Sequence, residues 1–388
     1  MPYKNVDKKI GKSKKAYKII IGILLLIFLT FILLYNYNYS FRKTINSYIS
    51  YGSIDSNNAI MLNIDQKTIN HIVGTDNYFA ILKQNNIIGY VTDKQSFSYP
   101  LSATTVISSA SGNYLLLAEN SDKKVYLFNN NNLVYEKDVG GNITQITVNK
   151  NGYVAVAMYK DGYRSVIIVY NDKGEEIFTT YYKATYASCI RLLDNNRKMA
   201  IVEVDTSGIK IASSIKFIEI DKLVEGNSVV STSKEIDTLI TDMEFVTNDT
   251  VMYLTDSIVK EVNLAGEKKD ILDISNSDII NVDIGLKNYI VRTEKVKKGM
   301  FNNSTDVIIV NRNNEEIGRY NVDGVVKLLK TYKDKIVVSI GQELYFLNSY
   351  GRPIKKYVSD TDIKDVIMYK GGSMAALIYR NKIEIIYI

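Results

Sequence analysis

The chain has 388 residues, of which 46% are hydrophobic and 23% are charged, and this composition predicts a large buried core rather than disorder. The formal net charge of +6 is concentrated in residues 1–43, which contain nine bases and one acid, whereas residues 44–388 contain 39 bases and 41 acids. The larger part therefore lacks the basic excess of a nucleic-acid-binding domain. A single cysteine, Cys189, excludes an intrachain disulfide and paired-cysteine motifs, and its apolar neighbours predict a buried position.

An uninterrupted apolar run, IIIGILLLIFLTFILL, occupies residues 19–34. With a tyrosine near each edge, it approaches the ~20 residues needed to cross the hydrocarbon core of a bilayer. A cleaved signal peptide would have a shorter apolar region and a small-x-small site, and a lipoprotein signal needs a cysteine just after the run. Neither feature is present in the sequence, so we predict an uncleaved signal anchor with a transmembrane helix over residues 19–35.

Positive charge flanks this run unequally, with seven lysines before it and only Arg42 and Lys43 shortly after it. The positive-inside rule then places the N-terminus in the cytoplasm and the rest of the chain outside. We therefore expect a single-pass protein of the cell membrane. Its predicted parts are a basic cytoplasmic tail at 1–18, the transmembrane helix at 19–35, a polar stalk at 36–57 and an extracellular domain at 58–388.

A degenerate repeat runs through the remaining sequence. Short apolar segments typical of buried strands recur eight times, at intervals of 36 to 53 residues, and most are followed by a hairpin pattern. Asn can cap a turn with its side chain, and Gly or Asn three residues later tolerates positive φ, so this spacing predicts a type I turn closed by a bulge. The five clearest pairs are Asn129/Asn132, Asn171/Gly174, Asn263/Gly266, Asn311/Asn314 and Asn348/Gly351.

Four strands in every ~40–45 residues is the period of one propeller blade, and no helical pattern separates the strands. The predicted fold class is therefore all-β, an eight-bladed β-propeller, with a seven-bladed ring as the alternative count. The last repeat ends at Ile388 after its third strand, which would leave an exposed sheet edge. Residues 59–64 offer a spare strand, so we predict that this N-terminal strand pairs with residues 382–388 and closes the last blade.

In this layout the chain resembles an uncharacterised clostridial family, a domain-of-unknown-function family of single-pass membrane-anchored β-propeller proteins. More distantly, the repeat is similar to the quinoprotein-like and surface-layer propellers. The chain contains no Trp, so it lacks the tryptophan docking motif of quinone-binding propellers and the Trp-Asp pair of WD repeats. The resemblance covers the whole chain, but it implies no activity, and no functional residues carry over from it.

The sequence offers few groups for catalysis or for binding a metal. The sequence has no GxSxG motif whose serine the one histidine, His71, could activate. We predict that His71 is packed or at the surface. The acids Asp360, Asp362 and Asp365 lack the Gly and the distal Glu of a calcium loop, so we interpret them as part of an inter-blade loop. A Gly-rich phosphate loop is absent from the sequence. We expect no cofactor and no metal.

One face of the predicted propeller carries the more varied connections. Connections between second and third strands share a face with the connections between blades, and the Asn turns lie on the other face. We predict long loops on the first face at 159–165, 205–214 and 294–306, joined by the inter-blade segment 179–188. Aromatic and basic residues on such loops are typical of binding faces. The candidate partner-binding residues are Tyr163, Arg164, Tyr181, Tyr182, Tyr186, Met300 and Phe301.

The leading hypothesis is a membrane-anchored extracytoplasmic module that binds or scaffolds a protein or a cell-wall glycan polymer through this face. The alternative is an extracytoplasmic enzyme that acts on a glycan or a small metabolite with carboxylates at the central channel. An enzyme should show acids with perturbed pKa values at the channel, whereas a binding module should show an exposed aromatic patch. A third hypothesis, a sensor, would need a membrane partner because the 18-residue tail is too short for an output domain.

Overall fold

The computed structural model of the chain describes residues 7–37, 53–55, 59–62, 69–83, 85–101, 106–119, 122–221, 228–298 and 302–388. The chain forms two compact units, Met1–Ser53 and Ile54–Ile388. The first contains the helix α1 (Asp7–Tyr37), which begins twelve residues before the predicted span. Among the residues that the structure describes, none forms a helix with both the length and the apolar character required to cross a membrane.

The second unit is built almost entirely from β-strands. Two short strands come first, β1 (Ser53–Asp55) and β2 (Ile60–Leu62). Blades 1 to 3 contain β3 (Ile69–Gly74), β4 (Phe79–Lys83), β5 (Asn86–Tyr90), β6 (Gln95–Pro100), β7 (Val106–Ser111), β8 (Tyr114–Glu119), β9 (Lys124–Asn129), β10 (Asn132–Asp138), β11 (Asn142–Val148), β12 (Val154–Lys160), β13 (Tyr163–Tyr170) and β14 (Glu176–Tyr182).

The other five blades follow the same plan. Blades 4 to 6 contain β15 (Tyr186–Leu192), β16 (Lys198–Asp205), β17 (Ala212–Glu219), β18 (Val229–Ile236), β19 (Ile240–Thr247), β20 (Thr250–Thr255), β21 (Ile258–Asn263), β22 (Lys268–Asp273), β23 (Ile279–Leu286), β24 (Tyr289–Lys298), β25 (Asn302–Asn311) and β26 (Glu316–Val322). Blades 7 and 8 contain β27 (Leu328–Tyr332), β28 (Lys335–Ser339), β29 (Glu343–Asn348), β30 (Pro353–Val358), β31 (Asp365–Tyr369), β32 (Met374–Ile378) and β33 (Ile383–Tyr387), with a short 3-10 helix at Lys370–Gly372.

Neighbouring strands within each blade pair in chain order and antiparallel, as in a propeller. The predicted eight-bladed all-β propeller is therefore confirmed, and the seven-bladed alternative is excluded. The eight apolar segments that revealed the repeat are the second strands of the eight blades, from β4 in blade 1 to β32 in blade 8. They are largely buried because each lies between an inner and an outer neighbour and packs against adjacent blades.

The ring closes through the predicted strand from the N-terminal side. Strand β2 pairs antiparallel with β33, with Ile60 opposite Ile385 and Leu62 opposite Ile383, so the closure prediction is confirmed. Leu62 is 4% exposed and Met61 is 54% exposed, as expected when alternate side chains point to opposite faces of a strand. In addition, β1 forms a fifth strand outside β30 in blade 7, which the sequence did not predict.

The hydrophobic core lies between the blades rather than within them. Each of the eight apolar clusters formed by the described residues joins two consecutive blades of the ring. The cluster between blades 8 and 1 shows the pattern, because Leu62, Tyr369 and Ile383 pack there with Phe79 and Ile81. Each blade is thus stabilised by two neighbours, and the ring depends on its closing strand as much as on any other.

Four of the five predicted Asn turns have the expected geometry. The Oδ1 atom of Asn171 accepts hydrogen bonds from the N–H groups of Lys173 at 3.0 Å and Glu175 at 2.9 Å, and Gly174 has a φ of 79°. Turns beginning at residues 263, 311 and 348 repeat these contacts. The prediction was wrong at the fifth turn, where Asn129 pairs directly with Asn132 and the positive φ falls on Asn130.

The long loops that the sequence predicted are mostly strand. Strands β24 and β25 pair continuously to Lys298 opposite Asn302, so residues 294–306 are largely a hairpin. Only two residues separate β12 from β13, whereas residues 206–211 do form a loop between β16 and β17. The prediction failed because polar composition was interpreted as loop, although an antiparallel ladder tolerates polar side chains on a solvated side.

Candidate functional site

Exposed tyrosines and basic residues cluster where the β12–β13 turn meets the connection from β14 to β15. The rings of Tyr163 and Tyr181 lie 5.0 Å apart, centroid to centroid, with an interplanar angle of 48°. The guanidinium of Arg164 lies 4.9 Å above the ring of Tyr186. Because these contacts join blade 3 to blade 4, the cluster forms one surface. We call it the tyrosine face and define it as Tyr159, Tyr163, Arg164, Tyr181, Lys183 and Tyr186.

Strand register brings these side chains together. The tight turn at Gly162, with a φ of 84°, places Tyr163 opposite Lys160, and Val166 then lies opposite Tyr181. Blade 4 is held against this edge because Ser165 Oγ accepts a hydrogen bond of 2.9 Å from the backbone N–H of Ala187. The connection between the blades is therefore fixed directly beside the exposed rings.

The tyrosine face is both solvent-exposed and positively charged. Tyr159, Tyr181 and Tyr186 are 47%, 54% and 45% exposed, which is unusual for rings that gain so much from burial. The Nζ of Lys183 lies 6.0 Å from the centroid of the Tyr163 ring. The segments 159–164 and 181–186 together hold three cations and one acid.

The other predicted site residues lie elsewhere. Tyr182 is 8% exposed, with the Nζ of Lys216 4.7 Å from its ring centroid, and burial raises the pKa of its hydroxyl above the usual range. Lys216 in turn forms a 2.8 Å ion pair with the buried Glu203. The structure therefore places Tyr182 beneath the tyrosine face, as support rather than as contact surface. Met300 and Phe301 lie outside the described residues.

Two residues of the tyrosine face were not singled out from the sequence. Tyr159 is the penultimate residue of the second strand of blade 3, and Lys183 follows the fourth strand of that blade. Both lie inside segments that the sequence assigned to this face, 159–165 and 179–188. The local sequence does not show the strand register or how blades 3 and 4 pack together. These two features bring Tyr159 and Lys183 close to Tyr163 and Arg164.

The central channel is the second candidate site. It contains a cavity of about 710 Å³ lined by the inner strands of blades 2 to 5, including Ser108, Gln145, Arg191 and Glu244. Hydroxyl, amide and charged groups therefore face this space. The alternative hypothesis of an enzyme depends on whether its acids are free to act.

The acids in the channel are held by an arginine. Arg191 donates hydrogen bonds of 2.8 Å to Glu244 through Nε and to Asp242 through Nη2. Although 36% of the Glu244 side chain is exposed, the surrounding protein desolvates it and raises its pKa, an effect that the charge of Arg191 opposes. Two carboxylates thus share one guanidinium. This arrangement links the inner strands of blades 4 and 5.

The remaining groups with potential chemistry are also engaged. The Nε2 of His71 lies 2.7 Å from Ser108 Oγ across the inner strands of blades 1 and 2, and burial lowers the pKa of His71. Cys189 is buried as predicted, and burial raises the pKa of its thiol to about 11. Nowhere in the described ranges do three His, Cys, Asp or Glu side chains gather as metal ligands would.

The predicted acidic inter-blade segment is confirmed between β30 and β31. Asp362 forms a 2.8 Å ion pair with Lys327, and Asp365 forms a 2.5 Å ion pair with Lys330. These two acids therefore link blade 8 to blade 7.

Comparison with known structures supports the fold. The chain is similar to BamB from Moraxella catarrhalis, with 9% identity, coverage of 82% of this chain and 96% of that chain, and a TM-score of 0.50. It is also similar to the C-terminal WD40 domain of Sif2, with 15% identity, coverage of 85% and 98%, and a TM-score of 0.57. At these identities the similarity shows a propeller and nothing about activity.

Comparison of the sequence with protein families gives a match over the whole second unit. No curated protein matches the sequence. The model of a family of unknown function, DUF5711, matches residues 53–388. This match confirms the expected membership of a domain-of-unknown-function family with a propeller fold. The chain therefore belongs to the DUF5711 family of unknown function.

Proposed function

We propose that this propeller is a binding module that holds a partner on the tyrosine face. The observation that carries the proposal is the set of three exposed tyrosines, Tyr159, Tyr181 and Tyr186, joined across two blades by Tyr163 and Arg164. Tyrosine and arginine dominate the energetically important positions of protein interfaces because they bury large areas with little loss of conformational freedom. Exposed together, they form the kind of patch that a partner covers.

The rigidity of this surface supports the proposal. Tyr163 and Tyr186 belong to β13 and β15, and Tyr181 belongs to β14, so strands rather than flexible loops hold the rings. The hydrogen bond from Ala187 to Ser165 fixes the β14–β15 connection, which crosses this surface. A surface that is already ordered loses less entropy when it binds a partner.

The channel supports catalysis less well than the tyrosine face supports binding. Glu244, which lines the channel, has the raised pKa expected of a catalytic acid, but it shares the guanidinium of Arg191 with Asp242. A general acid or base must be able to exchange its proton with a substrate, and an ion pair on both carboxylates opposes that role. Binding is therefore the function that the geometry favours.

We also propose that the module is anchored in a membrane and faces the extracytoplasmic side. The support is the uncharged apolar run at 19–34, whose large side chains are exposed on α1, for example Leu26 at 65% and Ile19 at 63%. Lysines before the run and a near-neutral chain after it support this orientation.

Alkaline carbonate extraction of membranes from expressing cells tests the anchor. The full chain should remain with the membrane pellet, and a variant with Leu25→Lys and Leu26→Lys should move to the supernatant because buried charge is costly in a bilayer. Release of the unchanged chain by carbonate would contradict the anchor without affecting the proposed binding face.

Crosslinking of the full chain in its native membrane, followed by affinity purification, tests the binding face. The wild type should retain a defined crosslinked partner, and the double variant Tyr181→Ala/Tyr186→Ala should lose it. Tyr350→Ala is the matched control, since Tyr350 is 51% exposed but lies in an Asn turn on the opposite face. The same partner with all three proteins would contradict a role for the tyrosine face.

A further inference from the structure

An apolar surface that the sequence did not predict lies beside the tyrosine face on blade 4. Ile209 and Ile211 are 107% and 47% exposed, and Ile236 and Leu239 are 66% and 44% exposed. The first pair belongs to the loop between β16 and β17, and the second pair flanks the connection from β18 to β19. Four large aliphatic side chains in two adjacent connections are more than scattered surface residues. We call these four residues the aliphatic ridge.

Backbone contacts hold the two halves of the ridge together. The N–H of Asp237 donates a 2.8 Å hydrogen bond to the carbonyl of Ile211, and Ser213 Oγ donates to the carbonyl of Thr238 at 2.9 Å. Lys210 and Asp237 form a 2.5 Å ion pair across the same contact. The isoleucines are therefore held in place by these contacts while their side chains remain exposed.

The ridge is continuous with the tyrosine face. Arg164 Nη1 donates a 3.2 Å hydrogen bond to Thr206 Oγ1 at the start of the ridge loop, while its guanidinium covers the ring of Tyr186. Arg164 thus lies at the junction of the aromatic and aliphatic parts. A partner that covers one part reaches the other.

The charges on this surface favour a partner with negative charge. In the part of the chain that the structure describes, Lys160, Arg164 and Lys183 form no ion pair, and two of them lie over tyrosine rings. Lys210, which is exposed between the two isoleucines, is paired with the exposed Asp237, and the less exposed Lys216 is paired with Glu203. Residues 44–388 as a whole contain slightly more acids than bases, so the tyrosine face is a local positive region on a weakly negative domain.

We propose that the partner is a protein segment in which carboxylates alternate with aliphatic or aromatic anchors, the anchors lying on the aliphatic ridge and the carboxylates beside Lys160, Arg164 and Lys183. This inference rests on the proposed function and specifies its partner. The exposed aliphatic side chains favour apolar anchors, which a polyanionic polymer lacks, and the three cations, which form no ion pair with the described residues, favour carboxylates. An acidic, apolar peptide segment provides both.

Selection from a random peptide library on the full chain in detergent micelles tests the partner chemistry. Selected peptides should combine Asp or Glu with Leu, Ile or Phe. Their affinity should fall by roughly tenfold or more, the effect of losing an interface hot spot, in Ile209→Asp/Ile211→Asp and in Arg164→Glu/Lys183→Glu. Lys173→Glu, an exposed charge in the Asn turn of blade 3 on the opposite face, should leave the affinity unchanged. Unaltered circular dichroism of each variant confirms that the fold is retained.

Four results would overturn the inference. Selected peptides without acids would remove the charge argument, and binding that is insensitive to the isoleucine variant would remove the ridge. Equal competition by poly-L-glutamate would show that charge alone suffices for binding, as for a polymer. Self-association of the chain through the variant positions in analytical ultracentrifugation would identify a second copy as the occupant. In each case a crosslinked partner lost with Tyr181→Ala/Tyr186→Ala would still support the proposed function, so the two failures are distinguishable.

Discussion

The closing strand β2 offers the sharpest prediction about stability, because its neighbouring side chains have opposite environments. Leu62 is 4% exposed and packs with Ile383 and Tyr369 between blades 8 and 1, whereas Met61 is 54% exposed on the outer side. Truncating a buried leucine costs about 2–5 kcal/mol. Since β2 has three residues and can partly relax, we expect Leu62→Ala to lower the free energy of unfolding by about 2–3 kcal/mol, in the lower half of that range.

Met61→Ala is the matched control on the same strand. It removes a side chain that is already half in solvent, so the expected loss is about 0.5 kcal/mol or less, as for surface substitutions. Urea unfolding of the full chain in detergent measures the free energy of unfolding of both variants. Tyrosine fluorescence follows the transition, since the chain has 30 Tyr and no Trp. The comparison uses midpoints at an unchanged denaturant slope. Equal midpoints for Leu62→Ala and the wild type would refute the claim that β2 completes the ring.

Three further predictions concern the closure and the buried groups. Deletion of residues 382–388 removes β33, the partner of both β32 and β2, and should abolish cooperative unfolding by circular dichroism; a retained sharp transition would contradict the closure. Because burial lowers the pKa of His71 below 6.5 in the folded chain, the unfolded chain binds a proton first on acidification. The stability that is present above pH 6.5 should therefore be lost as the pH falls from 6.5 through the lower pKa of the folded chain, and His71→Gln should show a smaller loss than the wild type. Equal losses would exclude a contribution of His71 to the pH dependence. The Cys189 thiol, with its pKa raised to about 11 by burial, should resist iodoacetamide at pH 8 and react after denaturation, whereas rapid labelling of the folded chain would show that it is accessible.

The repeat could be predicted from the sequence because each blade carries the same local signals. Asn171 and Gly174 show why, since the turn is determined by one side-chain acceptor and one positive φ, both of which are encoded within four residues. The same locality explains the exception at Asn129, where Asn130 tolerates positive φ as readily as Asn132 would. Two turns were compatible with that Asn-rich sequence, and the shorter of them formed.

The candidate site could be predicted only in part. The segments of the tyrosine face were found because aromatic and basic residues cluster in the sequence, but the burial of Tyr182 depends on Glu203 and Lys216 from blade 4. Likewise, the loop that carries Ile209 and Ile211 was predicted, but the exposure of these two side chains was not. Exposure of apolar residues is a property of what surrounds them, which the local sequence does not contain.

The central claim is that a partner lies on the tyrosine face, and site-specific photocrosslinking tests it most directly. A photoreactive phenylalanine analogue would replace Tyr181, or Tyr350 on the opposite face as the control, in the full chain in its native membrane. We expect an adduct of one defined mass from position 181, weakened by Arg164→Glu/Lys183→Glu, and no adduct from position 350. Adducts of equal yield from both positions, or none from position 181, would contradict it.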